Sequence, residues 1–141
     1  MNQPHGTTQS EAGPAPTTLL RRLSRDGLGS RTRPLVGRVN PRRMSARQLA
    51  DWAAELHADG MMNWAEYGIA GFPAELHPDY DRTVGVLTGE RADPDCPRDM
   101  IALWEERFNR ETRCLGAAAA RISRRIVELL RWQAASLSAA A

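Results

Sequence analysis

The chain contains no lysine: all nineteen basic residues among its 141 are arginines. Arginine, alanine, glycine and proline are all abundant, which is typical of a protein from a GC-rich bacterial genome. The number of arginines is therefore no indication of nucleic-acid binding. The position of the charges along the chain is more informative than their total.

Long apolar runs are also lacking. No stretch approaches the roughly 20 apolar residues that a transmembrane helix requires, and the N-terminal residues lack the charged segment and apolar run of a secretory signal. We therefore expect no membrane span and a cytoplasmic location. Cys96 and Cys114 are too few and too far apart for a disulfide framework or a Cys-x-x-Cys motif, so both are predicted to be free thiols.

The motifs of the common catalytic classes are absent. There is no Gly-rich phosphate loop, no nucleophile elbow and no zinc-protease helix motif. Zinc ligands normally come in close pairs, whereas the four candidates here are eighteen to twenty positions apart, at His57, His77, Cys96 and Cys114. We expect neither an enzyme nor a cofactor, although His77 near Asp79 leaves open a general base oriented by a carboxylate.

Charge divides the chain into three blocks, with net charges of +7 over residues 1–47, −9 over residues 48–111 and +4 over residues 112–141. Residues 1–18 are rich in Pro, Gly, Ser, Thr and Gln without apolar periodicity, which is typical of disorder. A disordered basic arm and linker is predicted over residues 1–43, with one or two helical turns where residues 19–23 read LLRRL.

Two capping boxes define a helical hairpin at the start of the folded region. Each box is a pair of residues three positions apart, in which each side chain accepts a hydrogen bond from the backbone N–H of the other residue. The two pairs are Ser45 with Gln48 and Asn63 with Glu66. Between them, Gly60 suits the left-handed turn that commonly ends a helix. The first helix has an apolar stripe at helical spacing, formed by Leu49, Trp52, Ala53 and Leu56.

The remaining segments complete an all-α prediction. A long Pro-rich loop over residues 73–97 is expected to pack over the hairpin, followed by a third helix from Pro97 and a fourth over residues 117–135. The predicted fold is a small four-helix domain over residues 44–135 with a frayed tail over residues 136–141. Since the folding signals begin at Met44, we also hypothesise that translation starts there instead of at Met1.

The turn of the hairpin resembles a calcium-binding EF-hand loop. Over residues 55–66 the twelve-residue pattern places Asp59 fifth, Gly60 sixth and Glu66 twelfth, but Glu55 and His57 stand where shorter oxygen ligands belong. The same span is also similar to short helical-hairpin modules that bind no metal. We interpret the hairpin as a structural element that binds no metal. In the alternative hypothesis, in which the loop binds calcium, Asp59 and Glu66 are the candidate ligands.

The candidate partner-binding residues lie in the fourth helix and in the loop. Three of the four tryptophans lie on or beside apolar stripes and are expected in the core. Trp132 lies off the apolar stripe of the fourth helix and is therefore a candidate interface anchor. The arginine face of the fourth helix either binds a partner or docks onto the acidic hairpin of the same chain. The candidates are Trp132, Arg121, Arg124 and Arg125 in the helix, and His77, Asp79, Tyr80 and Asp81 in the loop.

The favoured hypothesis is a non-enzymatic interaction or regulatory protein that presents the acidic hairpin and loop, or the amphipathic C-terminal helix, to a protein partner. Homo-oligomerisation through that helix is a further candidate role, because about ninety residues bury only a modest core. The alternative is a nucleic-acid-associated protein whose arm neutralises phosphates but has no interleaved aromatic residues to stack on bases. Its candidate residues are Arg21, Arg22, Arg42 and Arg43.

Overall fold

The computed structural model describes residues 39–141, which form helices and turns without a strand. The mainly α fold is confirmed, and none of the helices in this range is long and apolar enough to cross a bilayer. The predicted arm, with Arg21 and Arg22, lies outside the described residues up to residue 38. The helices are α1 (Ala46–Ala58), α2 (Trp64–Ala70), α3 (Val84–Thr88), α4 (Met100–Leu115) and α5 (Arg121–Ala139).

Both predicted capping boxes are confirmed. The Ser45 hydroxyl accepts a hydrogen bond from the Gln48 N–H at 3.2 Å, and Gln48 Oε1 accepts one from the Ser45 N–H at 3.0 Å. At the start of α2 the corresponding distances between Asn63 and Glu66 are 2.8 and 2.9 Å. Gly60 lies between the two helices at φ +75°, a conformation that costs glycine little. The hairpin is therefore specified locally by its own sequence.

The core is one cluster of buried side chains to which α1, α4 and α5 all contribute. The two long helices, α4 and α5, run antiparallel, since Glu105 pairs with Arg131 and Glu111 with Ser123. The predicted apolar stripe of α1 is buried in full. The largest side chains that are less than 2% exposed come from several elements and include Met44, Trp52, Leu56, Met62, Ile101, Ile126 and Leu130.

Packing begins before the domain boundary expected at residue 44. Val39 is 6% exposed and Pro41, which opens a 3-10 turn over Pro41–Arg43, is buried as well. The Gln133 side chain of α5 donates a hydrogen bond to the Val39 carbonyl at 3.3 Å in the interior. A chain starting at Met44 would lack both buried residues. At the other end, α5 continues past residue 135 to Ala139.

The two long helices begin later than expected. Helix α4 begins at Met100 and not at Pro97, because Asp99 caps it by accepting a hydrogen bond from the Ala102 N–H at 3.0 Å. Arg98 is thereby free to form an isolated antiparallel bridge with Met44. Helix α5 begins at Arg121, since Gly116 at φ +88° separates it from α4 by a short turn.

Candidate partner-binding site

Four aromatic rings form a continuous row on the surface of the hairpin, which we call the aromatic strip. His57 stacks on Tyr67 with ring centroids 4.8 Å apart and planes at 3°. Trp64 lies at one end, with its centroid 5.4 Å from His57 and 5.8 Å from Tyr67. Phe72 lies at the other end, 5.3 Å from Tyr67 in a tilted arrangement. Distances and tilts of this kind are those favoured by aromatic pairs.

The backbone of the hairpin fixes these rings in place. His57 is in the last turn of α1, and its Nδ1 is 2.9 Å from the Met62 carbonyl oxygen. Trp64 and Tyr67 are three residues apart on α2 and therefore share one face. Gly71 ends α2 in close contact with the Tyr67 ring, where a Cβ atom would lie 2.4 Å from a ring carbon. The strip is thus built into the fold.

The two ends of the strip are open to solvent. Trp64 is 71% exposed and Phe72 is 64% exposed. The expectation that Trp64 belongs to the core is wrong, because α2 has only seven residues and Trp64 is its first, outside the buried face. Contiguous exposed apolar surface is uncommon on soluble proteins and marks binding sites when it occurs.

Phe72 also forms one wall of an apolar groove of about 580 Å³. The segment that follows α2 surrounds this space with a 3-10 turn at Ala74–Leu76, another at Tyr80–Arg82, and the start of α3. Through Phe72 the groove and the aromatic strip are one continuous surface. The groove is lined by Gly71, Phe72, Pro73, Ala74, Leu76, His77, Pro78, Asp79, Tyr80, Thr83 and Val84.

Hydrogen bonds hold the segment around the groove in shape. The Thr83 hydroxyl donates to the Asp79 carbonyl at 2.8 Å, and Asp81 Oδ1 accepts from the Ala92 N–H at 2.7 Å. Gly85 lies so close to the next turn that a Cβ atom would be 2.7 Å from the Glu90 carbonyl oxygen. These contacts within the segment fix the walls of the groove.

The far end of the same segment is fastened to the start of α1. The Arg47 side chain forms an ion pair with Asp95 at 2.8 Å. The backbone N–H of Arg47 donates a hydrogen bond to the Pro94 carbonyl at 3.0 Å. The hydrogen bond that Arg47 donates to Asp95, together with their opposite charges, raises the pKa of Arg47, and the same hydrogen bond lowers the pKa of Asp95. Residues 71–99 are therefore tied to the helical core at both ends.

A second groove of about 400 Å³ lies on the other side of this segment, toward α4. Glu75 Oε1 pairs there with Arg98, and the hydrogen bond that Arg98 donates to it raises the pKa of Arg98. The other oxygen, Glu75 Oε2, is buried and accepts no hydrogen bond from any of the residues described here. Trp104 lines the same groove beneath the Arg107 guanidinium, which is 4.8 Å from the ring centroid.

No family model, no curated protein and no solved structure matches this chain. The site must therefore be interpreted from its own chemistry.

The lining of the first groove is mainly apolar. Asp79 is the one carboxylate among its lining residues, and it lies 3.1 Å from Arg82. The segment over residues 71–97 has a net charge of −4, but Glu75 and Asp95 pair with Arg98 and Arg47 away from this groove. The groove itself therefore favours a ligand with apolar groups.

The structure brings together three of the four loop candidates. His77, Asp79 and Tyr80 all line the groove, and Tyr80 is the most buried of them at 7% exposure. The His77 ring accepts a hydrogen bond from the Asp79 N–H at 3.1 Å, so it shapes the turn. Asp81 does not line the groove; its carboxylate supports the segment from behind through Ala92. Val86 and Leu87 on α3 are exposed.

The candidates in α5 form a separate surface. Arg125 is 3.8 Å from Glu66 and donates to the Met61 carbonyl at 3.4 Å, which docks this part of α5 on the hairpin. Arg124 is 3.7 Å from Glu128. Arg121 is exposed and Trp132 is 42% exposed. Homo-oligomerisation through this surface stays a prediction.

The metal candidates have structural roles in the hairpin. Glu66 caps α2 with one carboxylate oxygen and faces Arg125 with the other, while Asp59 ends α1. Over residues 39–141 no three His, Cys, Asp or Glu side chains are grouped so that they could hold a metal ion.

The arm residues that the structure describes are part of the folded domain. Arg42 pairs with Asp99 at 3.2 Å, and Arg43 is exposed. The nucleic-acid hypothesis, which also uses Arg21 and Arg22, stays a prediction.

Sequence reasoning missed the aromatic strip altogether. Its members come from three different segments, and only the spacing of Trp64 and Tyr67 on one helix gave a local signal.

Proposed function

We propose that this is a non-enzymatic interaction protein that binds a protein partner through the aromatic strip and the adjoining groove. The observation that supports this proposal is the continuity of four aromatic rings with the apolar groove through Phe72. Aromatic residues dominate the binding energy of protein interfaces because they bury a large area with little loss of side-chain freedom.

The chemistry of the site favours a partner segment that combines apolar and basic side chains. Apolar side chains fit the groove between Phe72, Leu76 and Val84. An arginine or lysine of the partner above the exposed Trp64 ring gains a cation–π interaction.

The partner chemistry can be tested by selecting random peptides displayed on phage against the full chain. We expect the enriched peptides to contain apolar and basic residues. Phe72→Ser should weaken their binding at least tenfold, since an interface aromatic at the centre of a site is worth about 2 kcal/mol or more.

Leu115→Ser is the matched control, because Leu115 is an apolar side chain of similar exposure, 70%, at the end of α4. It should leave the affinity unchanged. Selected peptides whose binding is indifferent to Phe72→Ser, or a selection that enriches nothing, would contradict the proposal. Circular dichroism of both variants confirms that the helices persist.

A further inference from the structure

The turn that joins α4 to α5 forms one end of the helix pair and lies in a stretch without acidic residues. Residues 112–127 contain four arginines and no aspartate or glutamate, a net charge of +4. All the residues over 113–119 are exposed, as is Arg121, the first residue of α5. We call residues 113–121 the basic tip.

The two arginines of the basic tip lie at the same level of the helix pair. Glu111 accepts a hydrogen bond from Ser123 at 2.6 Å, and in this antiparallel register position 113 lies opposite position 121. Packed helices are about 8–10 Å apart. Neither Arg113 nor Arg121 forms an ion pair with a carboxylate of residues 39–141. Two neighbouring guanidinium groups are therefore available to bind anions.

An apolar side chain is exposed between these two arginines in the sequence. Leu115 is the last residue of α4 and is 70% exposed. Gly116 and four alanines follow it, and the first three alanines are exposed as well. A leucine side chain in water is stabilised when it enters an apolar phase. The tip therefore combines positive charge with an apolar side chain that no part of the described domain covers.

A bilayer of anionic phospholipid fits this combination better than a nucleic acid does. Arginines bind the phosphate groups of the lipids, while an apolar side chain enters the boundary between headgroups and acyl chains. A nucleic acid would leave Leu115 against phosphates and water. The basic tip also has no aromatic residue that could stack on bases.

We infer that the basic tip binds anionic phospholipid membranes. Leu115 inserts among the lipids, and Arg113 and Arg121 bind the phosphate groups on either side of it. None of these three residues lines the groove or belongs to the aromatic strip. The inference therefore goes beyond the proposed function and does not depend on it.

The two cysteines of the chain allow a direct test, because one lies in the tip and the other precedes the opposite end of α4. Cys114 is exposed in the tip, and Cys96 is partly buried before Met100. A polarity-sensitive dye is attached to Cys114 in the full-length Cys96→Ser variant, and to Cys96 in the full-length Cys114→Ser variant. Vesicles of equal parts phosphatidylserine and phosphatidylcholine should shift the emission to shorter wavelength at Cys114 and leave it unchanged at Cys96.

Substitutions in the tip should weaken this response. Arg113→Gln, Arg121→Gln should raise the lipid concentration that gives half of the shift about 25-fold, since each arginine near an anionic surface contributes about fivefold. Leu115→Ser should raise it about tenfold, because serine gains little from entering the apolar phase.

The matched controls are Arg91→Gln and Leu87→Ser, which replace an exposed arginine and an exposed leucine in the segment before α4. Each should change the lipid concentration for half of the shift by less than about twofold, because neither side chain lies in the tip.

Three results would overturn the inference. The first is no shift at Cys114 with these vesicles, or an equal response in the Leu115→Ser variant. The second is an equal shift with vesicles of phosphatidylcholine alone, since binding would then not depend on the anionic headgroup. The third is tighter binding of duplex DNA than of vesicles at the tip, unaffected by Leu115→Ser, because the tip would then be a nucleic-acid site. Peptide binding through Phe72 is measured separately, so either proposal can fail without the other.

Discussion

At the scale of single residues, the pairing of Ser123 with Glu111 joins the two long helices. Ser123 is 1% exposed, and its hydroxyl donates to Glu111 Oε2 at 2.6 Å, while Arg107 donates to Oε1 at 2.7 Å. Burial opposes ionisation of Glu111, but the two hydrogen bonds outweigh it and lower the pKa of the carboxyl group.

Removing the hydroxyl should destabilise the protein in a pH-dependent way. Ser123→Ala is expected to lower the free energy of unfolding by about 1.5–3 kcal/mol at pH 7, the usual contribution of a hydrogen bond to a charged group. Because folding lowers the pKa of Glu111, its ionised carboxylate stabilises the folded protein. This stabilisation is present above the ordinary carboxyl pKa of about 4.3 and is lost as the pH falls through the pKa of Glu111 in the folded protein.

The difference in unfolding free energy between the unmodified protein and Ser123→Ala should therefore become smaller below about pH 4. Urea denaturation at several pH values measures this difference. Ser136→Ala is the control, since that exposed hydroxyl bonds only within its own helix, to the Trp132 carbonyl at 2.9 Å. A Ser123→Ala cost that stays constant from pH 7 to pH 3 would argue against the ionic contribution.

At the scale of elements, α2 contains one glycine, Gly68, and ends at another, Gly71, and the space around the two differs. Gly68→Ala should stabilise the protein by about 0.5–1 kcal/mol, because alanine restricts the unfolded chain and nothing lies within 4 Å of the new methyl group. Gly71→Ala should instead cost about 1–3 kcal/mol, since its methyl group would overlap the Tyr67 ring.

The same two variants also differ in their expected effect on peptide binding. Gly71→Ala should weaken peptide binding as well as thermal stability, because displacing Tyr67 breaks the row of rings between His57 and Phe72. Gly68→Ala should bind peptides as the unmodified protein does. Equal stability of the two variants in thermal denaturation would show that the ring moves aside without cost.

The hairpin could be predicted from the sequence because its signals are local. Both capping boxes act over three residues, and the stripe of α1 repeats within one helix. The groove could not be predicted, because residues far apart in sequence hold it in place: Arg47 with Asp95, and Met44 with Arg98. Helix α3 is likewise too short, at five residues, to produce a periodic pattern within the predicted loop.

At the scale of the whole molecule, residues 39–43 belong to the folded domain. A chain beginning at Met44 should be less stable than one beginning at Val39 by roughly 3–5 kcal/mol, from the lost burial of Val39 and the lost carbonyl opposite Gln133. For a domain of this size the melting temperature should fall on the order of 10–20 °C.

Scanning calorimetry of the two chains measures this difference. The control begins at Val39 with Arg42→Ala and Arg43→Ala, which removes two exposed side chains and an exposed ion pair worth about 1 kcal/mol or less. Equal melting temperatures for the chains beginning at Val39 and Met44 would favour Met44 as a functional start.

The tryptophans differ sharply in their access to water. Trp52 and Trp104 are 0% and 7% exposed, whereas Trp64 is 71% exposed at the end of the aromatic strip and Trp132 is 42% exposed. Indole fluorescence shifts to longer wavelength in water and is quenched by collision with dissolved iodide. Trp64 is therefore an intrinsic fluorescent probe at the proposed interface. Replacing Trp132 with Phe would leave Trp64 as the one exposed tryptophan that iodide can quench, without any dye attached to the protein.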